Sequence, residues 1–305
     1  MNKRSAYTTG VMLGITGILM FSSKAVLVRM AYQYNITPIP LMVLRMGFAL
    51  PIYAVLALVQ RPKDRKALRP IHYLGLVASG VLGYYLASYL DFIGLQFVKA
   101  SLERLLLFSY PIMVLLINRL VYGEVLNRNQ YIAIGLTYLG MVITFIPEVE
   151  GLQDGVIWGA VAILGSALAY AMYLVGSGRL IPRFGTGPFT SYCMLVSCSC
   201  VLLHFGLTEQ ESILQYPTPV YWLGLTMAVV ATVVPSYLIS AAIRRLGSST
   251  FSAFASLGPV STILLAYIFL GERLNVFQWM GAVVVIGGVW LLSRKGKQKV
   301  AVAKN

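Results

Sequence analysis

A chain of 305 residues that is 58% hydrophobic and only 11% charged cannot coat a soluble globule, because soluble domains run near about 25% charged; with a mean hydropathy of +0.77, most of its surface is expected to face lipid. The net charge of +14 does not mark a nucleic-acid binder. The bases are not gathered on one helix face but sit in short hinges between apolar runs, as cytoplasmic loops do. Cys193, Cys198 and Cys200 share one apolar run, with too few companion ligands for a metal and no loop for a disulfide to close. They are read as small apolar helix residues.

A helix needs roughly 20 apolar residues to cross the hydrocarbon. Taken in order, such runs lie at 10–30, 38–59, 71–93, 99–121, 129–147, 155–178, 188–206, 219–243, 248–270 and 276–293. The basic start (Asn2, Lys3, Arg4) resembles that of a signal peptide. However, the following run is too long, Lys24 interrupts it and no small-residue cleavage site follows, so it is kept as the first span. With the N-terminus placed in the cytoplasm, the inner segments hold Lys3 and Arg4, then Arg61, Lys63, Arg65, Lys66 and Arg69, then Arg119 and Arg128, Arg179 and Arg183, Arg244 and Arg245, and the tail Arg294, Lys295, Lys297, Lys299 and Lys304. The outer segments hold only Arg29, Lys99 and Arg273, while Glu148, Glu150, Asp154, Glu209 and Glu211 also fall outside. A wrong span count would scramble this alternation, so both termini are expected in the cytoplasm.

Shifted by 148 residues, the chain meets itself. Pro111 falls on Pro259, Leu116 on Leu264, Gly123-Glu124 on Gly271-Glu272, Leu126-Asn127 on Leu274-Asn275, Gln130 on Gln278 and Gly140 on Gly288. Upstream, Ser88-Tyr89-Leu90 falls on Ser236-Tyr237-Leu238 and Ser101 on Ser249. A collinear, gapless series outweighs the scattered identities that two apolar halves share by composition. The expected units are residues 1–148, residues 149–293 and a basic cytoplasmic tail, 294–305. Each half has five spans. An odd number turns the second copy over in the membrane, the inverted-repeat plan of many secondary transporters.

The repeated hinge has a local explanation. Gly123 and Gly271 end one helix. Asn127 and Asn275 cap the next, with Gln130 and Gln278 completing a capping box, and Glu124 and Glu272 lie near a helix N-terminus, where negative charge is favoured. Pro111, Pro235 and Pro259 lie within spans and should loosen their helices, as fixed kinks or as hinges.

Ten spans, two five-span halves and a Pro…Gly-Glu…Gly signature closing each half resemble the EamA-type branch of the drug/metabolite transporter superfamily. The segment ASYLDFIGLQFVKASLERLLLFSYP is similar to a bacterial subgroup of it. The resemblance implies a bacterial inner-membrane carrier with a central cavity and without an enzyme cofactor. It does not name the cargo.

Charged residues inside spans cost about 2.5–3.5 kcal/mol each and are functional hypotheses by default. Here they are Lys24, Arg45, Asp91, Glu103 and Arg104, all in the first half. Their counterparts under the repeat are Ala169, Cys193, Ile239, Phe251 and Ser252, so the chemistry is asymmetric on a repeated scaffold. Helical rise puts Lys24 roughly 20 Å from the cytoplasmic start of its span and Arg45 roughly 10 Å from the outer end of its own. The five are therefore expected to meet in the outer half of one cavity. Gly10, Gly14, Gly17, Phe21 and Lys24 share a face suited to close helix contact. Glu103 and Arg104, being adjacent, are expected to diverge by about 100° and not both be central. Two readings stand open. In one, Lys24 or Arg45 binds an anionic group of the substrate while Asp91 or Glu103 couples a proton, and Arg104 joins the charge pairs. In the other, Arg45–Asp91 and Lys24–Glu103 pair and fasten the helices. Tyr84, Tyr89, Tyr170 and Tyr237 are candidate cavity linings.

The sequence is thus read as an all-α membrane protein of ten transmembrane helices in two inverted five-helix repeats. Its expected function is alternating-access transport, with export the leading direction, of a small metabolite such as an amino acid or organic acid. The expected partners are that metabolite, the lipid bilayer and, as a coupling ion, a proton, in a monomer or a homodimer. The alternatives are a membrane-embedded enzyme or lipid-processing protein using Asp91, Glu103 or Lys24, and a passive channel. There is no Gly-rich phosphate loop for ATP-driven transport.

Overall fold

Every described element is helical. The computed structural model describes residues 3–62, 68–123, 125–126, 128–150, 154–209, 212–247, 250–251 and 257–294. Ten rods follow one another: α1 Lys3–Tyr32, α2 Pro38–Val59, α3 Pro70–Phe97, α4 Ala100–Tyr122, α5 Arg128–Glu150, α6 Val156–Phe184, α7 Thr186–Thr208, α8 Thr218–Leu246, α9 Leu257–Leu270 and α10 Val276–Arg294. Among the described residues, seven of these (α1 from Tyr7, α2, α3, α4, α6, α7 and α8) are long and apolar enough to cross a membrane, and α9 and α10 contribute shorter apolar stretches. The expected spans match the rods within a few residues. The exceptions are α1, which begins seven residues before 10, α6, which continues six residues past 178, and the ninth run, whose residues 252–256 lie outside the described set.

Prolines and glycines set the ends. Pro38 and Pro70 open α2 and α3, where the absent N–H is one that a first turn leaves unpaired in any case. Gly123 and Gly271 both take a left-handed φ of 66°, the conformation that closes a helix at least strain. Inside α4 the helix breaks after Leu107 and restarts at Tyr110, because the Pro111 nitrogen cannot bond back to the Leu107 carbonyl.

Large apolar side chains cover the surface, and the interior, though mostly apolar, also buries charged and polar ones. Leu120 is 83%, Trp158 76% and Leu58 74% exposed. Meanwhile Lys24, Arg45, Asp91, Glu103, Arg104, Thr232 and Ser236 are all buried. A chain in water does the reverse with its charges. A chain in lipid must satisfy every polar group internally. This is a multi-pass membrane protein.

The principal contacts join the first five rods to the last five. α1 packs on α8 as α6 packs on α3. α1 meets α9 as α6 meets α4, and α2 meets α8 as α7 meets α3. α2 faces α7, and α5 lies along α10. The expected small-residue face of α1 is used: Gly10, Gly14 and Gly17 sit against Arg245, Ala242 and Leu238–Ile239 of α8. Two further features share the 148-residue spacing. One π-helical turn, Val81–Leu86, interrupts α3 and another, Val229–Val233, interrupts α8. In α8 the cause is local, since Pro235 cannot donate to the Ala231 carbonyl. In α3 the turn coincides with Gly83, where any β-carbon would strike the Tyr173 ring.

Helix α5 touches α10 through glycines. A β-carbon on Gly140 would lie 2.7 Å from the Gly281 carbonyl oxygen, whereas one on Gly135, a turn earlier, would meet nothing within 4 Å. Overpacking a closed contact costs about 1–3 kcal/mol. Gly140→Leu should therefore lower the unfolding temperature in detergent by several degrees, and Gly135→Leu should not. Equal unfolding of the two variants would contradict this packing.

Candidate functional site

The site is organised around Arg45. It lies two turns into α2 and is 1% exposed. Its Nε donates to Thr232 Oγ1 at 2.6 Å, its Nη1 donates to Ser88 Oγ at 3.2 Å, and the guanidinium lies over the Phe92 ring at 5.6 Å. Both hydroxyls sit at the π-helical interruptions. Thr232 is inside the α8 turn and donates its own proton to the Met227 carbonyl five residues back, at 2.8 Å. Ser88 follows the α3 turn by two residues. Widened turns expose backbone and re-aim side chains, which is why they recur at functional sites. Eight residues along the same face of α2, Tyr53 shares a 2.8 Å hydrogen bond with Ser236.

Between these groups is a small central pocket lined by Phe21, Arg45, Tyr84, Ser88, Tyr170 and Thr232. Its volume of about 20 Å³ is room for about one water. In this conformation the pocket has no room for a larger ligand. The Tyr84 and Tyr173 hydroxyls, 2.9 Å apart, brace the wall.

Arg45 has no carboxylate within ion-pair distance among the described residues, and its hydrogen bonds there go to hydroxyls. Hydroxyls satisfy two of the five guanidinium donors and supply no opposing charge. A buried cation so placed is costly, and an arriving carboxylate or phosphate would lower that cost through charge-assisted bonds.

The other four charges form a separate cluster beside it. Lys24 Nζ lies 2.6 Å from Asp91 Oδ2, with both side chains almost fully buried. Glu103 is 0% exposed and its carboxyl interacts directly with that of Asp91. Among the described residues, no hydroxyl, amide or backbone N–H donates to any of the four carboxyl oxygens. Arg104 Nη2 reaches Ser22 Oγ at 3.4 Å, and the guanidinium lies 5.3 Å from the Phe21 ring centre. Lys24 sits over the other side of this neighbourhood, 4.8 Å from the same ring centre. Gly258 of α9 makes room for Arg104, since a β-carbon there would lie 2.6 Å from Nη2.

Three expectations change. The pairing is Lys24–Asp91, not Lys24–Glu103 with Arg45–Asp91. Glu103 and Arg104 are both central despite their divergence, because neighbours surround the short segment Ala100–Leu107 on every side and all eight of its residues are buried. Asp91 and Arg104 do not reach toward the interface. Of the tyrosines, Tyr84 and Tyr170 line the pocket. Tyr237 instead bonds Ser191 Oγ at 2.6 Å, and Tyr89 packs on the His204 ring at 4.8 Å. Thr232, Tyr53 and Tyr173 were not singled out by sequence. The spacing of Tyr53 from Arg45 on one face of α2 was the signal available.

At the hinges, Asn275 and Gln278 exchange the expected capping-box bonds, at 2.9 and 2.8 Å. Glu272 does not serve its own hinge. Its carboxylate accepts from the backbone N–H groups of Ala100 and Ser101, each at 3.0 Å, and from Ser101 Oγ at 2.6 Å. It caps α4 from the other half of the chain. Pro259 lies in the first turn of the described α9. Glu124 and Asn127 lie outside the described residues.

The model of the EamA-like transporter family matches twice, over residues 8–146 and 157–294. The chain is 30% identical over 287 residues to the uncharacterized transporter YcbK of Bacillus subtilis, covering 93% of this chain and 91% of that one. It is 23% identical over 319 residues to the uncharacterized transporter sll1319 of Synechocystis sp., covering 93% of each. A solved crystal structure with 15% identity shares the fold, with a TM-score of 0.66 over 93% of this chain and 97% of the other. With nearly the whole sequence matched, in two copies of one model, the chain belongs to the EamA-like transporter family.

Proposed function

We propose that this protein is a secondary carrier that moves a small anionic or zwitterionic metabolite across the bacterial inner membrane by alternating access, with amino acids or organic acids as the leading cargo and export as the leading direction. Arg45 holds the anionic group. Tyr84, and Tyr170 beside it, form the wall against which the rest of the substrate packs. The observation that carries this reading is a buried guanidinium that, among the described residues, bonds to hydroxyls and pairs with no carboxylate, at the meeting of two π-helical turns that belong to opposite halves. Lys24, already paired with Asp91, serves the charge cluster. Asp91 and Glu103, in contact and shielded from water, carry the coupling proton: two adjacent carboxyls share one proton most readily in such surroundings.

The scaffold is two inverted five-helix repeats, residues 1–148 and 149–293, with both termini and the 294–305 tail in the cytoplasm. In support, the contacts between halves recur with the halves exchanged, the π turns begin 148 residues apart and the family model matches twice. Pseudo-symmetric halves can exchange inward-open and outward-open shapes around a fixed central site. The rival reading, a membrane-embedded enzyme using Asp91, Glu103 or Lys24, must explain why Lys24 and Asp91 are spent on each other; the relatives are named transporters.

Counterflow of labelled amino acids and organic acids in proteoliposomes tests the reading. Arg45→Gln should weaken exchange about ten- to a hundredfold, the value of one or two charge-assisted bonds. Glu103→Gln in the same assay should retain exchange but lose stimulation by an imposed pH gradient. Wild-type exchange by Arg45→Gln would end the anion-site proposal.

The ion pair makes a separate prediction. Lys24→Met strands two buried carboxyls beside Arg104 and should cost about 3 kcal/mol of stability, whereas Lys24→Met/Asp91→Leu should recover most of that loss. Thermal unfolding in detergent measures both, and a single variant as stable as wild type would contradict the pair. For topology, impermeant labelling of single cysteines at Gly123 and Gly271, in a background lacking the three native cysteines, should find them on opposite faces of the membrane. Labelling from one face only would remove the inverted repeat.

A further inference from the structure

A second, larger cleft lies away from Arg45. It opens between the end of α1, the start of α4 and the turn joining α9 to α10, with a volume of about 470 Å³. Its walls include Arg29, Tyr32, Gln33, Lys99, Glu272 and Arg273. That volume is in the range of small-molecule sites, against the single-water space at Arg45.

The charges there are unusual for their place. The alternation of rods assigns every base outside the spans to one end of the bundle or the other, and Arg29, Lys99 and Arg273 are the only ones at this end. They come from three distant parts of the chain and converge on one cleft. Against them stands one acid, Glu272, whose oxygens accept bonds from the neutral N–H and hydroxyl groups of Ala100 and Ser101 and which keeps its charge, so the walls carry three bases against one acid. Arg29 is anchored by one bond, Nη1 to the Leu95 carbonyl at 3.0 Å, and Tyr32 by its hydroxyl to the Phe92 carbonyl at 2.6 Å. The wall is thus stiff on one side, while Lys99 and Arg273 are exposed. Scattered bases at a lipid boundary need no common ligand. Three that share a walled cleft with a single carboxylate leave a net positive field that favours an anion.

We propose that this cleft is a second anion-binding site, taking a phosphate- or carboxylate-bearing group, either of a soluble ion or of an anionic lipid headgroup. It stands independently of the Arg45 site.

Thermal unfolding of the purified full chain tests it, with inorganic phosphate titrated against sodium chloride at matched ionic strength. A parallel arm compares nanodiscs of phosphatidylcholine with and without phosphatidylglycerol. The variants are Lys99→Gln/Arg273→Gln, the single Arg273→Gln in case the pair fails to fold, and Arg45→Gln as control. Phosphate should stabilise wild type and Arg45→Gln alike, with an apparent affinity about tenfold weaker in Lys99→Gln/Arg273→Gln. Stabilisation by phosphatidylglycerol alone, lost in the same variant, supports the headgroup as the source. Failure of both probes to stabilise wild type, or equal stabilisation of the charge-removed variants, overturns the site. Loss of the phosphate effect in Arg45→Gln assigns the binding to the central pocket and also overturns it.

Discussion

Lipid offers no hydrogen bonds and no counter-ions, so a polar group carried into the bilayer must find its partner within the protein. This constraint organises the interior. Lys24 and Asp91 meet it with each other, at 2.6 Å. Arg104 meets it through Ser22 and an aromatic face, in a space that exists because residue 258 is glycine. Arg45 meets it only in part, through Thr232 and Ser88. The distinction is one of charge balance. Lys24 and Arg104 stand beside Asp91 and Glu103, two bases against two acids, whereas Arg45 has hydroxyls as its hydrogen-bond partners among the described residues and feels Asp91 only from beyond ion-pair distance. A fastening charge is expected to be neutralised on the spot. One kept among hydroxyls is available to something that comes and goes.

The same constraint explains where the backbone departs from regular helix. A π turn gives up regular i→i−4 pairing and needs other partners for what it frees. In α8 the Thr232 hydroxyl supplies one by donating to the Met227 carbonyl, and the same oxygen then accepts from Arg45. One side chain thereby repairs the helix and holds the cation. Because α3 and α8 each carry such a turn and each abuts α2, Arg45 lies between the two least regular stretches of the long helices. Regular helices pack as rigid rods, and their irregular points are where bending is easiest. The glycine contacts, such as Gly10, Gly14 and Gly17 against α8, lie away from these turns and keep the rods close without polar bonds that would have to break.

Much of this was legible in the sequence, and the limits were geometric. Apolar run length gives spans, because the bilayer thickness is fixed. The alternation of bases checks the count, and the repeat marks equivalent positions, including Gly123 and Gly271 with their shared φ. The five intramembrane charges were identifiable because charge in an apolar run is conspicuous. Their pairing was not. Rise per residue gives depth along each helix, but which acid meets Lys24 depends on how the rods are rotated and which of them touch. Hydroxyl partners were harder still: Thr232 and Tyr53 are common in apolar helices, and nothing local distinguishes a threonine that holds an arginine. Local reasoning also left the partner of Glu272 unread. It places the glutamate near a helix N-terminus, where negative charge is favoured, and the helix start that the carboxylate reaches is that of α4, more than 170 residues away in sequence.

The asymmetry of the charges on a repeated scaffold has a physical rationale in α2. Arg45 and Tyr53 occupy one face, and each bonds a serine: Arg45 bonds Ser88 of α3, and Tyr53 bonds Ser236 of α8. Those serines occupy equivalent positions in the two halves. One cation therefore sits between matched hydroxyls contributed by both sides, although its own counterpart, Cys193, is neutral and packs against the Leu76 carbonyl. A second arginine at position 193 would place two like charges in one low-dielectric interior, at an electrostatic cost that rises steeply with proximity. For an alternating carrier the single charge suffices. The anion needs one partner that stays central while the halves exchange shapes, and repeated hydroxyls can hold that partner from either side.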